Sequence, residues 1–410
     1  MLLLVVVRPR RWNEAWWTML GATAMLALGL VSWREAIHAI LAGKNALLFL
    51  LSLLALSLLV GKSGFFDWAA IRCARIAKGN ARSLYRNTYL LGAIVTAILS
   101  LDTTAVILTP IMLALVRRLK IPSAPYVVLC AFVANVGSLL LPISNLTNIL
   151  FADSFHLTFA AFTARMLAPQ LVALIGTYAL IRWHFRRELS ASFTVDSLPE
   201  PASVVPNHVY FAVCLTVLVV VLVGYFFAPL VGIEPYVVAF AGSGVLAFAG
   251  ATTGRIHIRA IGELTWSVFP FVVGLFVAVR GLENLGIVDV ASIWLVRMRP
   301  ESPISLLATA GATAFASNTV NNLPAALIAR SVLLDAHAQT GIVLAALVGA
   351  DVGPLITPFG SLATMLVFAL ARREGVKVRT GRLVILGLWM APLIVVATTL
   401  VLTLAITLTK

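Results

Sequence analysis

Two stretches of this chain place polar residues and a proline in the middle of sequence apolar enough to cross a bilayer. The first runs from Phe132 to Leu150 and groups Pro142 with amide and hydroxyl side chains. An unbroken transmembrane helix gives no reason for such a cluster, because unsatisfied polar groups in hydrocarbon cost several kcal/mol each. Irregular backbone at membrane depth is tolerated where it is buried in protein or lines a wet cavity. The stretch therefore predicts an interrupted helix at a transport site, rather than a span that its proline merely kinks.

The same design returns 216 residues later, between Val348 and Leu366. At this constant offset Asn135 pairs with Asp351, Gly137 with Gly353, Pro142 with Pro358, Asn145 with Ser361, and Asn148 with Thr364. Interrupted helices at equivalent places in two halves are the best sequence indication of a binding site in a secondary transporter.

Composition places the chain in a membrane. It has 410 residues, of which 61% are hydrophobic and 11% charged. This predicts a polytopic α-helical protein of the cell inner membrane, in contact with lipid. The net charge of +14 would suggest nucleic acid in a soluble protein. Here the basic residues flank apolar spans, so the positive-inside bias explains them and no nucleic-acid partner is expected.

The chain divides into two halves of similar content. Residues 1–181 form the first half, 182–207 a cytoplasmic linker rich in Pro, Ser and charge, and 208–410 the second half. Each half holds a re-entrant hairpin, with tips near 100–104 and 317–324, followed by its interrupted helix. The segment Met1–Val7 is expected to be the remnant of a first helix, and Arg34–Lys44 is expected to be a loop.

Charge supports an inverted arrangement of the halves. With the linker in the cytoplasm, 22 of the 30 Lys and Arg residues fall on the cytoplasmic side. The first hairpin then opens to the cytoplasm and the second to the outside. The predicted fold is therefore an all-α polytopic membrane protein of two inverted-topology repeats, each with a re-entrant helical hairpin and a discontinuous transmembrane helix. Such proteins work by alternating access.

Five motifs carry a resemblance to a known family. They are Gly61–Ala70, Asp102–Pro110, Pro142–Asn148, Asn321–Pro324 and Gly349–Thr364. Together they resemble ArsB-type arsenite efflux pumps of the ion transporter superfamily. The resemblance implies export of arsenite and antimonite, driven by proton antiport or by a cytoplasmic ATPase partner. Two departures stand out: the first helix of the family is nearly missing, and Leu101 stands where relatives often carry Asn.

The polar residues of the motifs suit a neutral solute. Arsenite near neutral pH is mainly an uncharged trihydroxide, which needs hydroxyl and amide partners rather than a countercharge. The candidate substrate-binding residues are Ser144, Asn145, Thr147, Asn148, Asn321, Asn322, Gly360, Ser361 and Thr364. No cysteine lies near them, which suits release of arsenic, so Cys73, Cys130 and Cys214 are expected to be dispensable. No metal site and no cofactor are predicted.

Two carboxyl groups are candidates for coupling. Asp102 and Asp351 lie at predicted mid-membrane depth, where an ionisable residue is a functional hypothesis by default. Either one could exchange a proton as access alternates, or could permanently cap a broken helix end. Four residues are expected to shape the breaks by close backbone approach or by ending a helix: Gly137, Pro142, Gly353 and Pro358.

Other functions remain as alternatives. A sodium-coupled anion or dicarboxylate carrier, or a sodium/proton antiporter of the same superfamily, would share this architecture. Dicarboxylate relatives tend to carry Ser-Asn-Thr in both broken helices, and that triplet is absent here. A membrane enzyme has no supporting motif, because HExxH, GxSxG and CxxC do not occur. The sequence is compatible with a monomer or a homodimer, and it leaves open whether an ATPase partner exists.

Overall fold

The computed structural model describes residues 14–196, 198–296, 302–376 and 380–408. Several basic residues assigned to the cytoplasm, and the segment Met1–Val7, lie outside those ranges: Arg8, Arg10, Arg11, Lys377 and Arg379. All the regular elements in the described ranges are helices. The predicted all-α, polytopic class of fold is therefore confirmed.

The helices of the first part of the chain are named in order. They are α1 (Glu14–Ala27), α2 (Trp33–Ala42), α3 (Lys44–Lys62), α4 (Phe65–Ile76), α5 (Ala81–Leu99), α6 (Thr109–Arg118), α7 (Ala124–Val136), α8 (Leu146–Ser154) and α9 (Phe159–His184). A single helical turn, Leu101–Thr103, and a π-helical stretch, Thr104–Leu108, join α5 to α6.

The second part of the chain continues the series. Its helices are α10 (His208–Phe227), α11 (Pro235–Thr252), α12 (Val268–Asn284), α13 (Ile287–Val296), α14 (Pro303–Val320), α15 (Asn322–Asp335), α16 (Thr340–Val352), α17 (Leu362–Arg373) and α18 (Thr380–Leu408). Between the two parts, the linker holds only short 3-10 turns at Glu188–Ser190 and Pro201–Val204.

Apolar spans surround the two interrupted helices. In the described ranges, five helices are long and apolar enough to cross a membrane, or six if α12 and α13, bent by 73°, count as one. Every residue of α7 after Ala124, and every residue of α16 after Thr340, is buried. The helices α10 and α11 instead expose a row of valines and phenylalanines, as lipid-facing spans do. The breaks therefore lie in the core of the bundle.

The packing pairs helices from the two parts of the chain. Helix α1 packs on α12, α11 on α3, and α9 on α18, while α14 lies along α16. Two related halves would give such exchanged contacts. The division into two inverted repeats at 181 and 208 remains a prediction.

The expected loop Arg34–Lys44 is wrong: residues Trp33–Ala42 form helix α2. Ser32 caps this helix, because its Oγ accepts from the backbone N–H of Glu35 while the Glu35 carboxylate accepts from the backbone N–H of Ser32. This reciprocal arrangement satisfies two donors that a helix start leaves unpaired.

Candidate functional site

The first interrupted helix breaks between α7 and α8. Helix α7 ends at Val136, and residues 137–141 are non-helical before a 3-10 turn at Pro142–Ser144. Asn145 has extended backbone, with φ −149° and ψ 143°, and its Oδ1 accepts from the backbone N–H of Thr147. An amide in this position is a good start for a helix, because it satisfies a backbone donor of the first turn. Asn145 therefore begins the second arm, α8.

The second interrupted helix breaks between α16 and α17, with its 3-10 turn directly after the first arm. A 3-10 turn covers Gly353–Leu355, and Pro354 departs from helical geometry with ψ 26°. Ser361 is extended, with φ −140° and ψ 154°, and its Oγ accepts from the backbone N–H of Thr364. Ser361, the predicted counterpart of Asn145, thus begins the arm α17.

A buried carboxyl group joins the two breaks. Asp351 lies in the last turn of α16 and is fully buried. Its Oδ1 accepts hydrogen bonds from Asn145 Nδ2 and from Thr147 Oγ1, both at 2.8 Å. Its Oδ2 has no hydrogen-bond partner anywhere in the described ranges. The end of α16 is therefore held against the start of α8 by one oxygen, while the other oxygen of the same carboxyl group is unused.

An amide makes the reciprocal contact. Asn135 lies in the last turn of α7, and its Nδ2 donates to Thr364 Oγ1 at 2.8 Å and to the Ala131 carbonyl at 2.7 Å. Ser361 Oγ donates to the same Thr364 oxygen at 2.9 Å. At the offset of 216, Asn135 and Asp351 occupy equivalent positions. Each first arm therefore ends against the second arm of the other interrupted helix, once through a carboxyl group and once through an amide.

The tip of the second hairpin donates hydrogen bonds to the backbone of the second break. Asn321 turns the chain from α14 to α15 with φ +83°, and its Nδ2 donates to the Phe359 carbonyl at 3.0 Å. The backbone N–H of Asn322 donates to the Gly360 carbonyl at 2.8 Å. Asn318 Nδ2 donates to the Gly353 carbonyl at 2.8 Å. Unwound backbone, which lacks helical partners, is thus satisfied by side-chain and backbone donors of the hairpin.

We expect Asn318→Ala to destabilise the fold. Besides its contact with Gly353, Asn318 Oδ1 accepts from the Thr357 backbone N–H at 3.0 Å, and these bonds hold the break closed. Loss of this pairing is expected to lower the free energy of unfolding by about 1–3 kcal/mol, measured in mixed micelles. Thr319→Ala is the control, since the Thr319 hydroxyl is exposed and donates to the Phe315 carbonyl of its own helix. Equal losses in the two variants would contradict this role.

Asp102 lies apart from the two crossings, which are the contact of Asp351 with α8 and the contact of Asn135 with α17. It is in the turn at the tip of the first hairpin, and it lines a cavity of about 210 Å³ together with Ser57 and Thr103. Ser57 Oγ and Thr103 Oγ1 are 2.7 Å apart, which ties the tip to α3. Leu362 and Leu366 of α17 form another part of the wall. Of the two predicted coupling residues, therefore, Asp102 borders an open space and Asp351 is enclosed.

The glycines of the second break stand where no side chain fits. A Cβ at Gly353 would lie 2.4 Å from Ala314 Cβ, and one at Gly360 would lie 2.8 Å from the Pro354 carbonyl oxygen. At Gly137, such an atom would lie 3.1 Å from Thr96 Cβ. Close approach of backbone to its neighbours thus accompanies the breaks, beside Pro142 and Pro358.

Two predicted residues donate hydrogen bonds to backbone carbonyls of the first half of the chain. Ser144 Oγ donates to the Ala97 carbonyl of α5 at 2.8 Å, and Asn148 Nδ2 donates to the Ser138 carbonyl at 2.7 Å. Ser138, Asn318 and Asn135 are not among the site residues predicted from the sequence. For Asn135 a signal was present, because it pairs with Asp351 at the repeat offset.

Charged residues form a network at the predicted outer face. Arg280 pairs with Glu283 at 2.9 Å and with Glu35 at 3.1 Å, and Ser331 donates to Glu283. The Ser32 backbone N–H, with further hydrogen bonds from Asn284 and Arg280, lowers the pKa of Glu35 to about 2. Glu35 therefore stays ionised at every physiological pH and fixes α2 to the end of α12, which Ser331 joins to α15.

Two interrupted helices that exchange buried polar contacts inside a bundle of apolar spans define a membrane transport protein. Comparison with known proteins gives the family. The family model for ArsB, described as arsenical pump membrane protein, matches residues 1–408, so the chain belongs to that family. The predicted family and the predicted multi-pass inner-membrane location are thereby confirmed.

Known relatives extend along nearly the whole chain. An arsenical pump membrane protein of Escherichia coli is 31% identical over 395 residues, covering 93% of this chain and 91% of that protein. One from Yersinia enterocolitica is 32% identical with the same coverage. Among solved structures, the Alcanivorax borkumensis YdaH transporter, whose topology is described as unusual, superposes with a TM-score of 0.62 at 16% identity. It covers 100% of this chain and 98% of its own, which shows a shared fold.

Proposed function

We propose that this protein exports arsenite and antimonite as neutral trihydroxides, in exchange for protons, by alternating access. The observation that supports proton exchange is the Asp351 carboxyl group. It is buried where the two interrupted helices cross, it is held by neutral donors, and one of its oxygens is unpaired within the described ranges. A carboxyl group with no cationic partner can alternate between neutral and ionised states, which a permanent ion pair cannot do.

The proposed substrate groups lie around the same crossings. Asn145, Thr147 and Asn148 begin α8, Ser361 and Thr364 begin α17, and Gly360 and Asn322 meet beside them. These groups are neutral hydrogen-bonding partners, as a polyhydroxy solute requires. Ser144 and Asn321 support the same region through backbone contacts. Movement of the arms would uncover these groups to one side of the membrane at a time.

Reconstitution of the purified protein alone tests the proposal. Proteoliposomes with an acidic lumen are expected to accumulate arsenite and antimonite above the outside concentration, and an uncoupler should remove the accumulation. A proton-sensitive dye should report alkalinisation of the lumen as arsenite enters. Accumulation that follows a sodium gradient instead, or that requires an added ATPase, would refute proton antiport.

Alternating access makes a prediction about Asp102. Its cavity lies beside Lys62 and Glu263, which pair at 2.6 Å at the predicted cytoplasmic face. In a background with Cys73, Cys130 and Cys214 changed to alanine, Asp102→Cys should react with a small charged thiosulfonate in inverted vesicles. Right-side-out vesicles should protect it.

Ala152→Cys is the matched comparison for that labelling. Ala152 lines a second cavity, of about 250 Å³, beside Pro142 and Ile143, on the predicted outer side. We expect it to react in right-side-out vesicles. Labelling of both positions from the same side would refute the assigned orientation of the two cavities.

A further inference from the structure

Asn135 has an unexplained oxygen. Its side chain is 1% exposed, and while Nδ2 is fully occupied by Ala131 and Thr364, Oδ1 meets no donor in the part of the chain that the structure describes. The 2.7 Å contact between Nδ2 and the Ala131 carbonyl fixes the orientation of the amide, because an oxygen there would repel another oxygen. A buried acceptor without a donor is costly and requires an explanation.

Thr364, the residue that Asn135 contacts, has a hydroxyl hydrogen that its contacts do not use. Thr364 Oγ1 accepts from both Asn135 Nδ2 and Ser361 Oγ, so the hydrogen of the Thr364 hydroxyl serves neither contact. Thr364 is 3% exposed. Among the described residues, the crossing therefore offers one acceptor without a donor, next to one hydroxyl hydrogen without an acceptor. A single hydroxyl group satisfies both, because a hydroxyl donates one hydrogen bond and accepts others.

We propose that Asn135 and Thr364 together bind one hydroxyl of the transported trihydroxide, which makes Asn135 a substrate-binding residue. The inference rests on the proposed function for the identity of the solute. The substrate hydroxyl donates to Asn135 Oδ1 and accepts from Thr364 Oγ1–H. Because both residues are sealed in this conformation, the solute reaches them when α7 and α17 separate, as alternating access requires.

The two crossings then have different functions, substrate binding at Asn135 and proton coupling at Asp351. At the equivalent position the other crossing carries Asp351, whose carboxyl group can exchange a proton. The amide of Asn135 cannot, so its crossing stays neutral and suits an uncharged ligand in a low-dielectric setting. Each crossing joins a first arm to the second arm of the other interrupted helix, but through different partners: Asn135 contacts Thr364, whereas Asp351 contacts Asn145 and Thr147.

Binding measurements on purified protein, without any proton gradient, test the assignment. Sodium arsenite is titrated calorimetrically into wild type, Asn135→Leu and Thr364→Val. Each substitution should weaken binding about tenfold or more, as expected for loss of a buried hydrogen-bonding partner. Thr364→Ser keeps the hydroxyl and should bind like wild type. If Asn135→Leu fails to fold, the contrast between valine and serine at 364 decides alone.

Gln170→Leu is the matched control. Gln170 is 2% exposed, its Nε2 donates to the Val136 carbonyl at the end of α7, and its Oε1 is likewise unpaired within the described ranges. The substitution removes a comparable buried amide without touching the pair. Its dissociation constant should stay within about twofold of wild type, the size of effect expected away from a binding contact. Unchanged binding in Asn135→Leu, or an equal loss in Gln170→Leu, overturns the proposal.

The binding test of Asn135 can succeed or fail independently of the test of proton exchange. Binding is measured without a proton gradient, so weakened binding in Asn135→Leu tests the hydroxyl site and not proton coupling. If wild type binds arsenite but proton coupling survives in Asp351→Asn, coupling through Asp351 fails, and the Asn135 assignment is still decided by the binding of Asn135→Leu and its control. Failure of wild type to bind arsenite at all would refute both.

Discussion

Asp351→Asn is expected to abolish uphill accumulation of arsenite while leaving exchange of arsenite across the membrane. Asparagine has nearly the shape of the carboxyl group, and its Oδ1 can still accept from Asn145 and Thr147, so the crossing should remain intact. It cannot release a proton, and the proton gradient then has no means of driving transport. The measurement is arsenite accumulation in proteoliposomes with an acidic lumen, beside counterflow exchange without a gradient.

Asp67→Asn provides the control for that experiment. Asp67 is an exposed carboxylate in the first turn of α4, away from both breaks. It should accumulate arsenite as wild type does, since a surface carboxylate takes no part in coupling. Asp351→Asn protein that still accumulates arsenite, with alkalinisation of the lumen, would remove Asp351 from the mechanism and leave Asp102 as the remaining candidate.

The position of the breaks was predictable because their signals are local. A proline removes a backbone donor and residues such as Asn145 and Ser361 prefer helix starts, so both arms begin where the sequence indicates. The repeat offset of 216 pairs Asn145 with Ser361, and in the structure each of these residues begins a second arm. The offset does not show which residues Asn145 and Ser361 contact, because a contact between α16 and α8 depends on how the bundle packs.

Asn135 shows most clearly which part of the site could not be predicted from the sequence. It sits in a continuous apolar helix, where one amide alone is ambiguous, and only its contact with Thr364 across 229 positions makes it part of the site. The hairpin tips show another limit. Asp102 and Asn322 pair in sequence at an offset of 220, whereas the turning residues, both with positive φ, are Ser100 and Asn321. Turn geometry therefore favours pairing Leu101 with Asn322, a shift of one residue that motif similarity alone did not resolve.

The surface helix α2 was not predicted from the sequence, for a different reason. Residues 34–44 carry Arg34, Glu35, His38 and Lys44, and this polarity suggested a loop. The capping pair Ser32 and Glu35 was nevertheless readable, and it starts a helix whose charged residues lie at the predicted outer face. Polarity distinguishes buried from exposed segments better than it distinguishes helix from loop.

Gly353→Ala is expected to destabilise the protein strongly and to abolish arsenite transport. The added Cβ would lie 2.4 Å from Ala314 Cβ and 2.6 Å from Ala314 Cα, so α14 would have to move away from the second break. Overpacking of this kind lowers the free energy of unfolding by about 1–3 kcal/mol. The same displacement would pull Asn318 away from Gly353 and Thr357. Unfolding in mixed micelles and arsenite transport in proteoliposomes measure the two effects.

Gly176→Ala is the same chemical change at a site with room. Gly176 lies within α9, and the nearest neighbour of its added Cβ is Ile394 Cγ1 at 4.0 Å. Alanine is favoured over glycine inside a helix by up to about 1 kcal/mol, so this variant should be as stable as wild type or more stable. If Gly353→Ala matched it in stability and transport, the close approach of α14 to the second break would not be required. The hairpin would then be free to move independently of the crossing, and the coupling between α14, Asn318 and the unwound backbone would have to be abandoned.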